Sequence, residues 1–211
     1  LRPIILKAAT KIFPYNMVFS NGIRSIPDLP MAFGISLDGP PEINDAIRGK
    51  GVYEKAMKNI RNAPRKVFVQ SVITRKNFPF LDEFTAQLSK EKNLTGIIYS
   101  IYIPQKGDAS SFGFNLTERD QVIEKLLMLK DEYGEFFLLL RRAIELMHSS
   151  NSSSITKTCD MRVNSLAMDY TLRRRKPCCY GENVDCDLCA VPTPFVLAAK
   201  EEMQQSENIG S

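Results

Sequence analysis

The sequence has no cysteine before Cys159, a single histidine and no long apolar run, and each absence narrows the possible functions. No segment reaches the ~18 uninterrupted apolar residues of a membrane span. No basic stretch followed by an apolar one opens the chain, as it would in a signal peptide. These absences favour a cytoplasmic protein without a membrane partner.

The familiar catalytic patterns are also missing. The single histidine, His148, ends a predicted helix, where a contact with the helix dipole or exposure to solvent is typical, and it leaves no Ser-His-Asp triad. There is no Walker loop and no Gly-x-Gly-x-x-Gly, so phosphate binding of those kinds is not indicated. The net charge is only +4, and the one basic run, residues 173–176, lacks interleaved aromatic residues. The composition therefore argues against nucleic acid as a partner.

All the cysteines lie in the last quarter of the chain, at Cys159, Cys178, Cys179, Cys186 and Cys189. A Cys-x2-Cys pair lets two thiolates converge on one ion or cluster, and two more from a neighbouring segment complete a four-sulfur shell. Adjacent cysteines in an extended segment point to opposite faces, so only one of Cys178 and Cys179 is expected to join that shell. The spacing predicts a metal centre and leaves the choice between a 4Fe-4S cluster and zinc open.

Two other uses of these cysteines fit the pattern less well. An odd cysteine count and a large cysteine-free body are poor marks of a disulfide framework. A redox dithiol at Cys178-Cys179 or Cys186-x2-Cys189 would be expected to open a helix after a thioredoxin-like strand, and neither pair does. Metal binding is the preferred interpretation.

The order of apolar patterns predicts an α/β fold. Extended runs at 17–19, 32–37, 67–73 and 97–103 alternate with helical patterns at 3–12, 52–61 and 80–90. Strands that alternate with helices of about ten residues argue for βαβ units and a parallel sheet. Further helices are expected from Thr117 through Lys130 and from Glu135 to Met147, followed by a linker at 151–154.

These patterns divide the chain into four parts. They are an α/β core (1–116), a helical segment (117–150), a cysteine-rich extension (151–200) and a flexible tail (201–211). Within the extension, residues 163–172 are expected to form a strand or an irregular hairpin that brings Cys159 near Cys178.

Polar residues follow the predicted strands. In parallel α/β sheets ligands bind beyond the carboxyl ends of the strands. The residues at those ends are Ser20, Asn21, Ser36, Asp38, Thr74, Asn77, Pro104 and Lys106. Together they suit a polar small molecule with ribose or amino-acid groups, whereas each alone is more simply a turn or helix cap. Glu42 and Asp45, beside Arg48, are expected to be first-turn acids and to form a charge pair.

The block Ile35-Ser36-Leu37-Asp38-Gly39-Pro40, followed by Asn44-Asp45-x-Ile47-Arg48-Gly49 and a helix from Val52, closely resembles the middle of the core of radical S-adenosylmethionine (SAM) enzymes. Ser20-Asn21-Gly22 resembles the Thr-Asn-Gly that ends the third strand of that family. Val69-x-x-Val72-Ile73-x-Arg75-x-Asn77 resembles its fifth strand and exit, and Leu1-Arg2-Pro3 resembles the residues after its Gly-Gly-Glu-Pro motif. The resemblance covers residues 1–106, and the cysteine-rich extension is similar to the SPASM or twitch modules of such enzymes.

The resemblance implies a partial radical SAM (βα) barrel with SAM across the strand ends. Ser36 and Asp38 would lie near its ribose and methionine portions, Asn21 on the neighbouring strand end, and Arg48 would hold the cofactor or the substrate. One auxiliary 4Fe-4S cluster would be bound by Cys159, Cys178 or Cys179, Cys186 and Cys189. The implied partners are a peptide or small-molecule substrate and an electron donor such as a flavodoxin or ferredoxin. No catalytic residue is assigned.

One departure from the family is large. Its members reduce SAM with a cluster held by Cys-x3-Cys-x2-Cys, and this chain has no cysteine before Cys159. Without those thiolates there is no electron donor at the sulfonium, so the chain alone is expected to be inactive. The expected explanation is a fragment that lacks the first two strands, and a cluster-less homologue is the alternative. The competing function is a non-catalytic α/β binding module with a structural four-cysteine zinc site.

Overall fold

The computed structural model describes residues 2–209, with side chains described for residues 2–206. The chain forms two compact units. The sheet unit consists of the chain up to Tyr99 together with Asp131–Leu138, and the cysteine unit consists of Ser100–Lys130 together with the chain from Leu139 onward.

A sheet of parallel strands forms the centre of the sheet unit. The strands are β1 (Met17–Ser20), β2 (Ala32–Ser36), β3 (Val67–Ile73) and β4 (Leu94–Ile101), and the helices are α1 (Pro3–Ile12), α2 (Pro41–Arg48), α3 (Val52–Arg61) and α4 (Leu81–Leu88). The strands lie side by side in chain order, and β1 with β2 and β2 with β3 pair in parallel. The predicted α/β class with parallel strands is therefore confirmed.

The sequence of β3 explains its central place. It alternates β-branched and aromatic residues with few polar ones, and Val67, Val69 and Ile73 are buried. Such a run suits a strand that is covered on both faces. The chain then leaves β1 through Gly22, where an added Cβ would lie 2.7 Å from Cγ2 of Ile35 and 3.0 Å from Cβ of Ala56. Only glycine lets the end of β1 pass this close to α3.

The cysteine unit is mainly helical. Its elements are α5 (Leu116–Tyr133), α6 (Arg141–Leu146), α7 (Ser149–Lys157), α8 (Asp160–Val163), β5 (Ala167–Met168), β6 (Arg174–Arg175) and α9 (Pro192–Ile209). The strands β5 and β6 pair antiparallel, so a hairpin is present, but it lies further along the chain than the predicted 163–172, and Val163 belongs to α8. The tail predicted from Glu201 continues α9 as far as Ile209, and its last two residues lie outside the described part.

Two predictions about elements were wrong. Residues 151–154 are not a linker but belong to α7, where Ser152 and Thr156 are buried. The helix expected from Glu135 is interrupted, because Phe137 forms a parallel bridge to Ile97 and the N–H of Leu138 donates to the carbonyl of Ile97 at 2.9 Å. An apolar run at 136–140 satisfies a helical and an extended pattern equally, and pairing with β4 decides between them.

None of the helices within residues 2–209 combines the length and the apolar character that a bilayer span requires.

Candidate functional site

The carboxyl ends of β1 and β2 bring the first predicted polar residues to one edge of the sheet. Ser36 ends β2 and lies in register with Gln70 of β3. Ser36 is half-buried, and its hydroxyl makes no hydrogen bond to the described residues. Asn21 is exposed just after β1, where its Oδ1 accepts the N–H of Ile23 at 3.3 Å. The hydroxyl of Ser36 and the amide nitrogen of Asn21 are thus available to a ligand.

Asp38, two residues beyond β2, is buried and fully engaged within the protein. Its Oδ1 accepts the N–H of Val72 at 2.9 Å, and its Oδ2 lies 2.8 Å from Nε of Arg48. Its own N–H donates to Oδ1 of Asn44, and its carbonyl accepts from Nδ2 of Asn77. Asp38 therefore joins the ends of β2, β3 and α2, and a role in positioning this edge accompanies any contact with a ligand.

Asn77 fixes the end of β3 against the end of β2. Its Nδ2 also donates to the carbonyl of Val72 at 2.8 Å, and its Oδ1 accepts the N–H of Thr74 at 2.6 Å. Its side chain is almost completely buried. The sequence pattern places Thr74 and Asn77 at a strand end, but it does not reveal that they bond to each other or that Asn77 reaches back to Asp38.

Asn44 is a site residue that sequence reasoning missed. It is fully buried on α2, and its amide oxygen holds the backbone of Asp38. A buried polar side chain is retained in a core only when its hydrogen bonds are satisfied. Its spacing of three from Ile47, on an amphipathic helix, is the pattern that could have indicated such a position.

The predicted charge pair between Arg48 and the acids of α2 is wrong for this structure. Glu42 does lie in the first turn of α2, but Arg48 pairs with Asp38. Asp45 accepts the N–H groups of Tyr53 and Gly51 at the start of α3. These donors, that of Tyr53 foremost, hold the pKa of Asp45 below its ordinary value of 3.8. Asp45 thus caps the next helix, and Arg48 stays near the edge with 24% of its side chain exposed.

An open apolar face adjoins this polar edge. Gly34 and Ser36 lie on the same face of β2, because alternate residues of a strand share a face. A Cβ at Gly34 would come within 2.7 Å of the rings of both Phe19 and Phe68. Those rings meet edge to face at 5.9 Å, and Phe19 remains 54% exposed. A ligand with an apolar and a polar part would find complementary surfaces side by side.

In the cysteine unit all the cysteines are free thiols. Cys159 precedes α8, Cys178 and Cys179 follow β6, and the N–H of Cys189 donates to the carbonyl of Cys186 at 3.3 Å. That bond closes the Cys-x2-Cys segment into a turn. Within residues 2–206 no group of three or more histidine, cysteine, aspartate or glutamate side chains is arranged so that it could hold a metal ion.

The electrostatics of these thiols nevertheless separate Cys179 from the others. Burial raises the pKa of Cys189 to about 11, and the charges of Cys159, Cys186 and Cys178 raise it too. Burial also raises the pKa of Cys186, with further contributions from Cys178 and Cys159. The pKa of Cys179 is raised by burial and, among cysteines, by the adjacent Cys178 alone. Cys159 and Cys178 therefore act on both Cys186 and Cys189, whereas Cys179 acts on neither of these two thiols.

His148 has a structural role in this unit. It is the N-cap of α7, with Nδ1 lying 3.1 Å from Oγ of Ser150 and Nε2 lying 3.5 Å from Oδ2 of Asp120. The N–H of Ser149 donates to the same carboxylate at 2.8 Å. Asp120, His148 and Ser150 form a row of polar groups, and each of them serves the start of α7. His148 was expected to interact with the dipole at a helix C-terminus or to be exposed, and the structure instead places its side chain at the N-terminus of α7.

Fold and site together define an α/β protein with polar side chains at the carboxyl edge of a parallel sheet and a separate group of cysteines. The chain is 36% identical over 80 residues to mycofactocin maturase MftC of Mycolicibacterium smegmatis (strain ATCC 700084 / mc(2)155), covering 32% of this chain and 20% of that protein. It is 36% identical over 84 residues to mycofactocin maturase MftC of Mycobacterium tuberculosis (strain ATCC 25618 / H37Rv), covering 34% and 22%. The chain is thus similar to these two maturases over about a third of its own length.

The chain thus matches about a fifth of the length of these curated relatives. No family model matches it. Among solved structures, native anSMEcpe with bound AdoMet and Cp18Cys peptide is 16% identical with a TM-score of 0.48, covering 63% of this chain and 42% of that one. Native anSMEcpe with bound AdoMet is 15% identical with a TM-score of 0.47, covering 74% and 45%. Scores at this level are too low to transfer a ligand or a site.

Proposed function

We propose that this chain carries part of the SAM site of a radical SAM enzyme at the carboxyl edge of the sheet unit, and an auxiliary 4Fe-4S cluster in the cysteine unit. The observation that carries the proposal is the similarity to the two maturases. It is supported by the polar edge of the sheet at which Ser36, Asp38 and Arg48 lie. Ligands of parallel α/β sheets bind at this edge.

Four side chains are proposed to form the SAM edge. Ser36 and Asn21 offer a hydroxyl and an amide at adjacent strand ends, which suit the hydroxyl and amino-acid groups of SAM. Arg48, partly exposed, is the cation of the edge, and a guanidinium is well matched to a carboxylate. Asp38 holds that guanidinium in place while its other oxygen is tied to Val72.

Bound SAM would supply a carbon radical after one-electron reduction at its sulfonium. The Cys-x3-Cys-x2-Cys ligands of the reducing cluster are not among the residues of this chain. No part of that reduction is therefore assigned to it, and the residues named here would only bind and orient SAM. The reducing electron would come from a carrier such as a flavodoxin or ferredoxin in the cytoplasm.

The auxiliary cluster is proposed on Cys159, Cys178, Cys186 and Cys189. Four thiols from three neighbouring segments match the donor set of a 4Fe-4S cluster, and their mutual effects on pKa are those of groups in one neighbourhood. Because these side chains are not arranged as a metal site in the described part of the chain, cluster binding would require the cysteine segments to rearrange, and metal binding and folding are coupled in such segments. The same donor set suits zinc, and that second candidate makes the chain a non-catalytic binding module.

The substrate is proposed to be a precursor peptide. The matched relatives are named as maturases, enzymes that convert a precursor into its mature form. A small-molecule substrate is the alternative.

Anaerobic purification followed by metal analysis tests the proposal. We expect brown protein with about four iron and four acid-labile sulfide per chain in the cysteine unit, the content of one 4Fe-4S cluster. A double variant Cys186→Ser, Cys189→Ser is expected to lose both. Colourless protein with one tightly held zinc would replace the iron-sulfur proposal for this unit by the binding module, and protein without any metal would overturn both.

A further inference from the structure

The cysteine unit contains a cleft whose charged side chains are mostly basic. The cleft has a volume of about 980 Å³, within the size range of ligand-binding clefts. Its wall carries four cations, Lys157, Arg162, Arg174 and Lys176, and one carboxylate, Glu182. The cations come from the last turn of α7, from α8, and from β6 with the residue after it. Three separate segments therefore bring like charges to one cleft.

The alternation of side chains along β6 explains which cations of the basic run at 173–176 face the cleft. Successive side chains of a strand point to opposite faces, so Arg174 and Lys176 lie on one side and Arg175 on the other. Arg175 accordingly lies over Gly181, where an added Cβ would be 3.1 Å from its Nη2. The run forms one block of charge in the sequence, but only two of its members line the cleft.

The cations of the cleft are not neutralised by the protein. Among residues 2–206, none of the four forms an ion pair with an aspartate or glutamate, and all four are exposed. The nearby Asp160, which begins α8, accepts from Nδ2 of Asn164 instead. Water screens the four charges, so their proximity costs the fold little. Together they leave a positive potential within a cleft, and such a potential attracts an anionic ligand.

The wall of the cleft also has an apolar part. Val163, on α8, is 75% exposed although it is aliphatic, and Pro177 lies beside it in the wall. No aromatic residue of the described chain lines the cleft, so it offers no surface on which nucleic-acid bases could stack. A bilayer surface is too broad to enter a cleft of this size. A peptide that carries carboxylates next to an apolar side chain is complementary to both parts of the wall.

We propose that this cleft binds a peptide segment that combines acidic and apolar side chains. The four cations would pair with its carboxylates, and Val163 would contact its apolar side chain. That the segment belongs to the precursor peptide rests on the proposed function, whereas the binding itself requires neither SAM nor a metal. The competing role of the cations is to keep an exposed surface soluble, and that role predicts no particular ligand.

The experiment measures binding of fluorescein-labelled peptides to the full chain by fluorescence anisotropy. The probe is a peptide of three Glu-Glu-Leu repeats, with Gln-Gln-Leu repeats as the uncharged peptide and Glu-Glu-Gly repeats as the peptide without apolar side chains. A double variant, Lys157→Gln with Lys176→Gln, removes two cations of the cleft. The matched control, Lys55→Gln with Lys58→Gln, removes two exposed cations of α3 and so changes the net charge equally.

We expect the wild type to bind the Glu-Glu-Leu probe more tightly than either other peptide, and less tightly as salt is added. The double variant in the cleft should bind the probe about fivefold more weakly, the combined effect of two exposed ion pairs of ordinary strength. The double variant in α3 should bind the probe as the wild type does. Because all four lysines are exposed, both variants should unfold at the wild-type temperature.

Equal weakening in the two double variants would overturn the proposal, because it would show attraction to net charge rather than to the cleft. Equal binding of the Glu-Glu-Leu and Glu-Glu-Gly peptides would overturn the assignment to a peptide with apolar side chains. Phosphatidylserine vesicles and single-stranded oligothymidine are tested alongside. Tighter binding of either, with the same dependence on Lys157 and Lys176, would replace the peptide by a membrane or a nucleic acid.

Failure of the wild type to bind the Glu-Glu-Leu probe would overturn this inference and leave the SAM binding and metal content of the proposed function untouched. Conversely, probe binding by a protein that takes up neither SAM nor metal would support the peptide cleft and remove the proposed function.

Discussion

The Nε atom of Arg48 lies 2.8 Å from Oδ2 of Asp38, and this contact fixes the last residue of α2 against the end of β2. The other oxygen of Asp38 accepts the N–H of Val72, so the same carboxylate also reaches β3. Asp38 is 6% exposed at its side chain and Arg48 is 24% exposed. The acid is therefore the structural partner of the pair, and the base is the partner that a ligand could reach.

The first prediction concerns the stability that Asp38 provides. Asp38→Ala is expected to lower the free energy of unfolding by about 2–3 kcal/mol, near the lower end for a broken buried pair because water can reach Arg48. Urea denaturation measures the change. Asp38→Asn, which can still accept from Val72, should lose less. Wild-type stability in Asp38→Ala would contradict the central place given to this carboxylate.

The second prediction separates binding from stability at the same edge. Ser36→Ala is expected to change the free energy of unfolding by less than about 0.5 kcal/mol, because no described residue bonds to the hydroxyl. It should weaken SAM binding about fivefold, the effect of one lost hydrogen bond of about 1 kcal/mol. Calorimetric titration of SAM into the holoenzyme measures the affinity. Thr95→Ala, at the amino end of β4, is the control and should bind SAM normally.

The parallel sheet and its polar edge could be predicted because both depend on local patterns. The apolar run of β3 and the polar residues after β1 and β2 are visible within a few residues of chain. The partners of Asp38 are not, since Val72 and Asn77 lie 34 and 39 residues away. Which polar side chain at an edge is enclosed and which stays open is decided by such distant contacts.

The serine-rich segment before Cys159 illustrates a second limit. Ser and Thr have weak helix propensity, so a run of serines favours a linker. In the structure Ser152 and Thr156 are buried on one side of α7, and Ser152 bonds to Arg119. Packing therefore overrides the weak helix propensity of this segment, and no periodic apolar pattern in the sequence indicates that α7 forms.

The third prediction concerns the contact between β4 and the segment after α5. A Cβ at Gly96 would lie 2.3 Å from the carbonyl oxygen of Phe136 and 2.7 Å from Cγ of Leu138. A backbone carbonyl paired to a strand cannot move aside easily, so Gly96→Ala is expected to destabilise the protein by about 3 kcal/mol, the upper range for overpacking. Gly113→Ala is the matched control, because its Cβ would meet nothing closer than 3.7 Å. Chemical denaturation measures the free energy of unfolding of both variants. Equal values would mean that the segment around Phe136 can shift to make room for the added Cβ.

The fourth prediction is a dependence of stability on pH at Asp45. Its pKa in the folded chain lies below the ordinary 3.8, so the folded state binds the proton more weakly than the unfolded state. The resulting stabilisation is fully present above pH 3.8 and is lost as the pH falls through the lower folded pKa.

Asp45→Asn should therefore unfold more easily than the wild type at pH 7, and the difference should shrink below pH 3.8. Thermal unfolding between pH 7 and pH 2.5 measures this, with the exposed Glu124→Gln as control. A difference that stays constant with pH would assign the effect to shape rather than to charge.

The fifth prediction decides between the adjacent cysteines. Cys178 raises the pKa of both Cys186 and Cys189, whereas Cys179 appears among the influences on neither. The two cysteines lie in a turn rather than in an extended segment, because the carbonyl of Cys178 accepts the N–H of Gly181 at 3.1 Å, so the choice between them rests on their different effects on Cys186 and Cys189. If the proposed metal centre forms with Cys178 as a ligand, Cys178→Ser is expected to lose the metal and to make the cysteine unit more sensitive to protease, because metal binding and folding are coupled in such segments. Cys179→Ser, an equally conservative change at the next position, should keep the wild-type metal content.

Metal content per chain after anaerobic purification is the measurement. Loss of metal from Cys179→Ser with retention by Cys178→Ser would reverse the assignment, and loss from both would mean that the two thiols act at different centres or exchange at one.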